Sequence, residues 1–230
     1  MSHILFIETA TRVCSVGIAN KEGMLSMKED KSMQYSHSSL LTSFIEETIQ
    51  TAGLGMSALD GVVVSMGPGS YTGLRIGVSA AKGLCYALDI PLIAINTLES
   101  LANTANTVLD GVDYFVPMID ARRMEVYSAI FDSNLHQVRE TMAEIIDENS
   151  FAEVLEKGRV AFFGDGADKC KATLNHPNAL FFDDIVPSVT GMLQPAWQKL
   201  SRKQFENLAY FEPYYLKDFV AGKPKVKGLH

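Results

Sequence analysis

A glycine-rich segment between a strand-like run and a helix-like run is the part of this sequence best suited to binding a ligand. Four glycines, one proline and three hydroxyl-bearing residues fall between Met66 and Gly77. A glycine loop at the start of a helix offers free backbone N–H groups to an anion, so phosphate binding is the first hypothesis. The glycine spacing, however, is one residue longer than the dinucleotide fingerprint, and no Lys-Ser or Lys-Thr pair completes a P-loop.

Close packing is the second hypothesis for the same segment. Small residues on a helix allow a neighbouring helix to approach closely. With a period of 3.6 residues, one broad face of the helix after the loop carries small and apolar residues. The members of this face are Gly73, Gly77, Ala80, Ala81, Leu84 and Leu88. The hydroxyls of Ser70, Tyr71 and Thr72 lack the elbow of a serine nucleophile, and we expect them to cap the helix instead.

Charged residues near these elements offer little metal or acid–base chemistry. Glu8 and Asp120 each close an apolar run, and Arg75 is predicted to form an ion pair with one of them or with a partner carboxylate. A stable metal site needs three or four convergent ligands. His37 has Leu41 four residues later, and the other histidines lie on distant segments. The sequence therefore predicts no metal and no catalytic residue.

Composition sets limits on the class of protein. The chain has 230 residues, 47% of them hydrophobic, and a formal net charge of −7, which does not attract nucleic acid. Its three cysteines are far apart and form no Cys-x-x-Cys pair, which favours buried thiols in a reducing compartment, and hence the cytoplasm. No signal peptide or membrane span is expected.

The order of predicted elements repeats once along the chain. Three strands, a helix, a strand and a helix are predicted up to about Leu88, and the same order is predicted from Tyr114 onward. A second turn follows each strand-end acid by about fifteen residues. This duplicated unit is typical of the two-lobed actin-like, Hsp70-like, sugar-kinase-like (ASKHA) α/β fold. Residues 1–100 are predicted to form the first lobe, and residues 101–230 the second lobe with a C-terminal helix and tail.

Four segments, in order along nearly the whole chain, resemble the TsaB (YeaZ) family. The glycine segment is the most specific of them. They are Ile4–Thr11 with Cys14–Val16, Gly67–Gly77, Asp120–Tyr127 and Phe211–Leu216. The resemblance implies a cytoplasmic, non-enzymatic subunit that supports synthesis of threonylcarbamoyladenosine on tRNA. It also implies binding to the catalytic relative TsaD and an ATPase, TsaE, with tRNA reached only through the complex and no cofactor. Such proteins have also been described as glycoproteases, but a metalloprotease needs a zinc-binding motif and this sequence contains none.

Two departures from the catalytic pattern agree with a degenerate copy. The catalytic relative carries a His-x-x-x-His metal motif on its first helix, whereas this chain has His37 and Leu41. Glu8 stands where the family is expected to have aspartate, and the longer side chain moves the carboxylate away from close metal geometry. An autonomous ATP-dependent kinase or hydrolase of the same fold is the alternative, based on Asp120.

The predicted partner interface lies on two helices of the first lobe, at residues 36–52 and 72–88. We expect these helices to lie side by side and to dock on TsaD, or on a second copy of this chain when TsaD is absent. The residues assigned to the interface are His37, Leu41, Phe44, Ile45, Thr48, Gly73, Gly77, Ala80, Ala81, Leu84 and Leu88.

Overall fold

Two five-stranded sheets of the same topology form the framework of the molecule. The computed structural model describes residues 2–32 and 37–217, with the backbone alone for His37 and Ser38. The first half contains β1 (His3–Glu8), β2 (Cys14–Asn20), β3 (Gly23–Asp30), α1 (His37–Thr51), β4 (Leu59–Gly67), α2 (Tyr71–Leu88), β5 (Leu92–Asn96) and α3 (Thr97–Asn106). The predicted helix start at residue 36 and the role given to the His37 side chain lie outside the described part.

The second half repeats this order with shorter helices. It contains β6 (Tyr114–Asp120), β7 (Glu125–Asp132), β8 (Gln137–Ile145), α4 (Ala152–Leu155), β9 (Val160–Phe163), β10 (Ala179–Phe182) and α5 (Leu193–Ser201). Short 3₁₀ helices span Met56–Ala58, Asp168–Cys170 and Val189–Met192. The first helix predicted for this half has only four residues, and a 3₁₀ turn replaces the second.

Sheet topology confirms the predicted duplication. The first sheet has the order β3-β2-β1-β4-β5 and the second has β8-β7-β6-β9-β10. In both sheets the first three strands are antiparallel neighbours, and the last two join them in parallel. Strand β10 was not predicted, and it completes the repeat. This is the two-lobed α/β architecture of the ASKHA fold.

The main hydrophobic core of the first lobe lies between its sheet and the helices α1 and α2. Leu5, Ile7 and Val64 of the sheet pack against Leu41 and Val78 of the helices, all at most 4% exposed. Helix α1 also contacts α2, as predicted for two helices lying side by side. Burial of each such side chain stabilises the fold by about 1.5–3 kcal/mol before entropy is counted.

The C-terminal helix packs on the first sheet, although it was predicted to belong to the second lobe. Helix α5 contacts β5, and Lys199 Nζ donates to the carbonyl of Ala94 at 2.7 Å. The Trp197 ring meets Phe6 of β1 edge-on, with ring centres 6.4 Å apart, and so anchors α5 to the first sheet. Lys199 thereby occupies one backbone carbonyl of β5, the edge strand of the first sheet.

Candidate functional site

A cleft of about 1180 Å³ lies between the two lobes. The first lobe contributes the glycine segment and the turn after β1, and the second contributes the turns after β6 and β9. The C-terminal residues 214–217 form a further wall. The turns after β1 and β6, where the sequence places the two strand-end acids, therefore meet the glycine segment at this cleft.

The glycine segment is held tightly by the chain itself. The amide of Ser70 donates to the carbonyl of Ala10 at 2.6 Å. A Cβ atom on Gly69 would lie 2.2 Å from that same oxygen, so only glycine fits. On the other side, the amide of Tyr214 donates to the carbonyl of Met66 at 2.7 Å. These contacts favour close packing over phosphate binding as the reason for the glycines, because the Ser70 N–H is already occupied.

Ser70 begins α2 as its N-cap. Its hydroxyl accepts a hydrogen bond from the amide of Gly73 at 3.3 Å, as predicted for a turn hydroxyl in this segment. Asn96 has the same role in α3, where its side chain accepts from the amides of Leu98 and Glu99. The Ser70 cap fixes the start of α2, whose first turns line the cleft.

Glu8 at the end of β1 is completely buried and does not reach the cleft surface. Its Oε1 accepts from the amide of Ala10 at 2.7 Å, while Oε2 has no hydrogen-bond partner in the described part of the chain. Burial raises the pKa of the Glu8 carboxyl from 4.5 to about 7, against the opposing effect of hydrogen bonds to Ala10, Ser65 and Thr9. Glu8 thus supports the turn that holds the glycine segment.

Asp120 at the end of β6 lines the cleft, but its charge is already paired. Lys169 forms an ion pair with Asp120 and also donates to the carbonyl of Glu125 at 2.7 Å. The amide of Arg122 donates to the Asp120 carboxylate at 3.1 Å, and Asp165 accepts from the Asp120 amide at 3.0 Å. No motif or spacing in the sequence points to Lys169, which lies 49 residues from Asp120 along the chain.

Arg75 does not form the ion pair that was predicted for it with Glu8 or Asp120. Its guanidinium lies 4.3 Å from the centre of the Tyr71 ring, a cation–π contact on the exposed surface of α2. Within residues 2–32 and 37–217, the carboxylates that form ion pairs do so with other cations. The predicted ion pair is therefore replaced by an aromatic contact one turn away.

The small-residue face of α2 packs against the chain's own first sheet. Thr9 donates from Oγ1 to the carbonyl of Gly73 at 2.8 Å, and a Cβ on Gly77 would lie 2.2 Å from the same Oγ1. The residues of the predicted interface that are buried in this way are Leu41, Ile45, Thr48, Gly73, Gly77 and Ala81. All six lie in the interior of the first lobe. On α2, the small residues Gly73, Gly77 and Ala81 allow the helix to approach the sheet closely.

The remaining apolar members of the predicted interface lie at the rim of the first core. Phe44 of α1 and Ala80, Leu84 and Leu88 of α2 are partly exposed while packing against that core. Exposed positions beside them include Glu46 of α1. The two helices thus offer an outer surface whose apolar part is narrower than the sequence suggested.

Metal ligands do not converge anywhere in the described part of the chain. No group of three or more histidine, cysteine, aspartate or glutamate side chains could hold an ion there. The three cysteines are buried and unpaired, as predicted. None of the helices built from the described residues is both long and apolar enough to span a bilayer.

Comparison with known proteins assigns the chain to a family. The family model described as TsaD, tRNA N6-adenosine threonylcarbamoyltransferase, matches residues 31–180. The tRNA threonylcarbamoyladenosine biosynthesis protein TsaB of Haemophilus influenzae is 28% identical over 96% of this chain and 95% of its own length. The protein of that name in Escherichia coli is also 28% identical, over 96% of each chain.

A solved structure supports the same fold. YeaZ from Pseudomonas aeruginosa superposes with a TM-score of 0.79 at 24% identity, and covers 94% of this chain and 100% of that one. The two equivalent sheets and the near full-length matches point to the same family as the glycine segment. This chain belongs to the TsaD family and resembles the TsaB (YeaZ) proteins within it.

Proposed function

We propose that this chain is a non-catalytic scaffold subunit in the synthesis of threonylcarbamoyladenosine on tRNA. In this role it binds a TsaD-like catalytic subunit and supports transfer of the threonylcarbamoyl group to the adenosine 3′ of the anticodon. The Haemophilus and Escherichia relatives are named as threonylcarbamoyladenosine biosynthesis proteins, which supports a part for this chain in that process. A TsaE-like ATPase and a second copy of this chain are the other proposed partners, and tRNA is reached through the complex.

The state of the two strand-end acids is the observation that carries the non-catalytic part of the proposal. Glu8 is buried beneath its own turn, and Asp120 forms an ion pair with Lys169. Handling a metal ion and phosphate needs carboxylates that are free to face the ligand. These contacts do not favour the alternative of an autonomous ATP-dependent kinase or hydrolase.

The outer surface of α1 and α2 is the proposed docking site for the catalytic subunit. These helices have 15 and 18 residues, whereas α4 at the equivalent place of the second lobe has four. Only the first lobe therefore presents a pair of long helices within the described residues. Partly exposed Phe44, Ala80, Leu84 and Leu88 provide apolar contact area at its rim.

Arginine substitutions on α2 test this docking site. Ala80→Arg places a long charged side chain at the rim, and we expect it to weaken binding to a purified TsaD-like subunit by at least about tenfold. Ser79→Arg is the matched control, since Ser79 faces the groove beside Phe211 and Pro213 instead. Calorimetry measures both affinities, and circular dichroism verifies folding. Equal affinity of the folded Ala80→Arg variant and the unaltered chain would contradict the docking site.

Titration of the isolated chain with ATP and Mg²⁺ separates the scaffold from the kinase alternative. The proposal predicts no turnover of ATP by the chain alone. Turnover that disappears in an Asp120→Ala variant would instead assign the chemistry to this chain.

A further inference from the structure

The C-terminal strap, residues 206–217, is bound firmly to the first lobe. The amide of Glu206 donates to the carbonyl of Leu92 at 2.9 Å, and Lys82 Nζ donates to that of Phe211 at 2.9 Å. The Phe211 side chain is 8% exposed and belongs to the first core. Together with the Tyr214–Met66 hydrogen bond, these contacts fix the strap along one side of β4, β5 and α2.

The last residues of the strap cross to the second lobe. Lys217 forms an ion pair with Glu125, the first residue of β7. Between the two lobes, the Tyr215 ring packs on Tyr71 with centres 5.1 Å apart. The carbonyl of Glu125 also accepts from Lys169, the partner of Asp120. The strap therefore joins the glycine segment of one lobe to the acidic turn of the other along the wall of the cleft.

The two attachments differ greatly in strength. The first-lobe attachment combines backbone hydrogen bonds with a buried aromatic ring. The second-lobe attachment is an ion pair whose side chains are 44% and 21% exposed, and such pairs contribute about 0–1 kcal/mol and weaken with salt. When the lobes separate, the strap therefore stays with the first lobe and the Lys217–Glu125 pair breaks first.

We propose that the strap is a salt-sensitive latch between the lobes, and that the Lys217–Glu125 pair sets how often the interlobe cleft opens. The latch is a property of this chain alone and does not depend on the proposed function. Packing on the first lobe alone does not explain why the chain continues from Phe211–Leu216 to the second lobe, and the latch supplies a reason.

A single cysteine in the cleft wall reports on opening. Ile76 lines the cleft and is half-buried, whereas Cys14, Cys85 and Cys170 are at most 1% exposed. The labelling rate of an Ile76→Cys chain with a maleimide reagent therefore measures access to the cleft. Adding Lys217→Glu places like charges together at the latch, and we expect labelling to become about threefold to tenfold faster.

Two further variants make the test specific. Exchanging the charges with Lys217→Glu and Glu125→Lys together restores an ion pair, and the slow rate should return. Lys157→Glu changes the net charge equally at an exposed position and should leave the rate unchanged. Salt should accelerate labelling of the Ile76→Cys chain and have little effect once Lys217→Glu is present. Equal rates with and without Lys217→Glu, or no recovery on charge exchange, would overturn the latch.

Discussion

Gly77 is required by the hydroxyl of Thr9 on the neighbouring turn. A Cβ at position 77 would lie 2.2 Å from Thr9 Oγ1, which already donates to the carbonyl of Gly73. We expect Gly77→Ala to lower the free energy of unfolding by about 1–3 kcal/mol, because a tightly packed site cannot absorb the methyl group. Gly83 on the same helix has open space around its Cβ position, so Gly83→Ala should raise stability by about 0.5–1 kcal/mol.

Urea denaturation of the two variants measures both effects. Loss of stability in both, or in neither, would contradict the assignment of Gly77 to the interior. The result also decides how the docking site can be tested, since a bulky residue at position 77 or 81 would disturb folding before it could disturb binding.

Glu8 gives the fold a pH dependence whose direction is fixed by its burial. Its pKa is about 7 in the folded chain and 4.5 without burial, so the folded state keeps a proton that the unfolded state loses between these values. Stability from this group is complete below pH 4.5 and falls as the pH rises to 7, by about 3 kcal/mol in all. Glu8→Gln removes the titrating group and should flatten the unfolding free energy across this window.

Thermal or urea unfolding of both chains from pH 4.5 to 8 provides the measurement. The difference between the two curves isolates Glu8 from every other titrating group. Parallel curves would show that the Glu8 carboxyl titrates normally.

Sequence patterns identified which residues belong to the site better than they identified what those residues contact. The glycines, Ser70 as a cap and the two strand-end acids were identified from spacing. Whether a small-residue face meets a partner or the chain's own sheet depends on what lies opposite, and the sequence of one helix does not contain that information. The partners Thr9, Ala10 and Lys169 were missed for the same reason, since each acts across tens of residues.

Asn96 links the end of β5, the start of α3 and the second lobe. Its Oδ1 accepts from the amides of Leu98 and Glu99, and its Nδ2 donates to Thr141 Oγ1 of β8 at 3.3 Å. Asn96→Ala removes the cap and should cost about 1 kcal/mol of stability. Asn96→Asp keeps a good cap while losing the donor to Thr141, so its cost should be smaller. Denaturant unfolding ranks the two, and an equal loss would mean that the contact with the second lobe outweighs the cap.

Long periodic elements of the first lobe were predicted almost to the residue, and the short elements of the second were not. Helix α2 has 18 residues with a clear period, whereas β10 is a four-residue apolar run. A run that short fits a strand or a buried helical turn equally well. Tertiary packing decides such segments, and here β10 forms because β9 offers it a parallel edge.

The whole molecule is a duplicated framework in which only one copy keeps its long helices. The glycines at the ends of the equivalent strands, Gly67 as the last residue of β4 and Gly164 directly after β9, have positive φ of 111° and 97°. The Gly166 position is also confined by backbone, since a Cβ there would lie 2.9 Å from the carbonyl carbon of Ile119. The cleft geometry is thus conserved between the halves of one chain, while the outer surfaces differ. This asymmetry supports one docking face per molecule.

Reconstitution of tRNA modification tests the central claim most directly. Purified TsaD-like and TsaE-like subunits are supplied with tRNA and a threonylcarbamoyl donor, with or without this chain, and threonylcarbamoyladenosine is measured. We expect modification only when the chain is present, full activity with Asp120→Ala, and loss of activity with Ala80→Arg. Equal modification with and without the chain would contradict the account, as would loss of activity in a folded Asp120→Ala variant that still binds its partner.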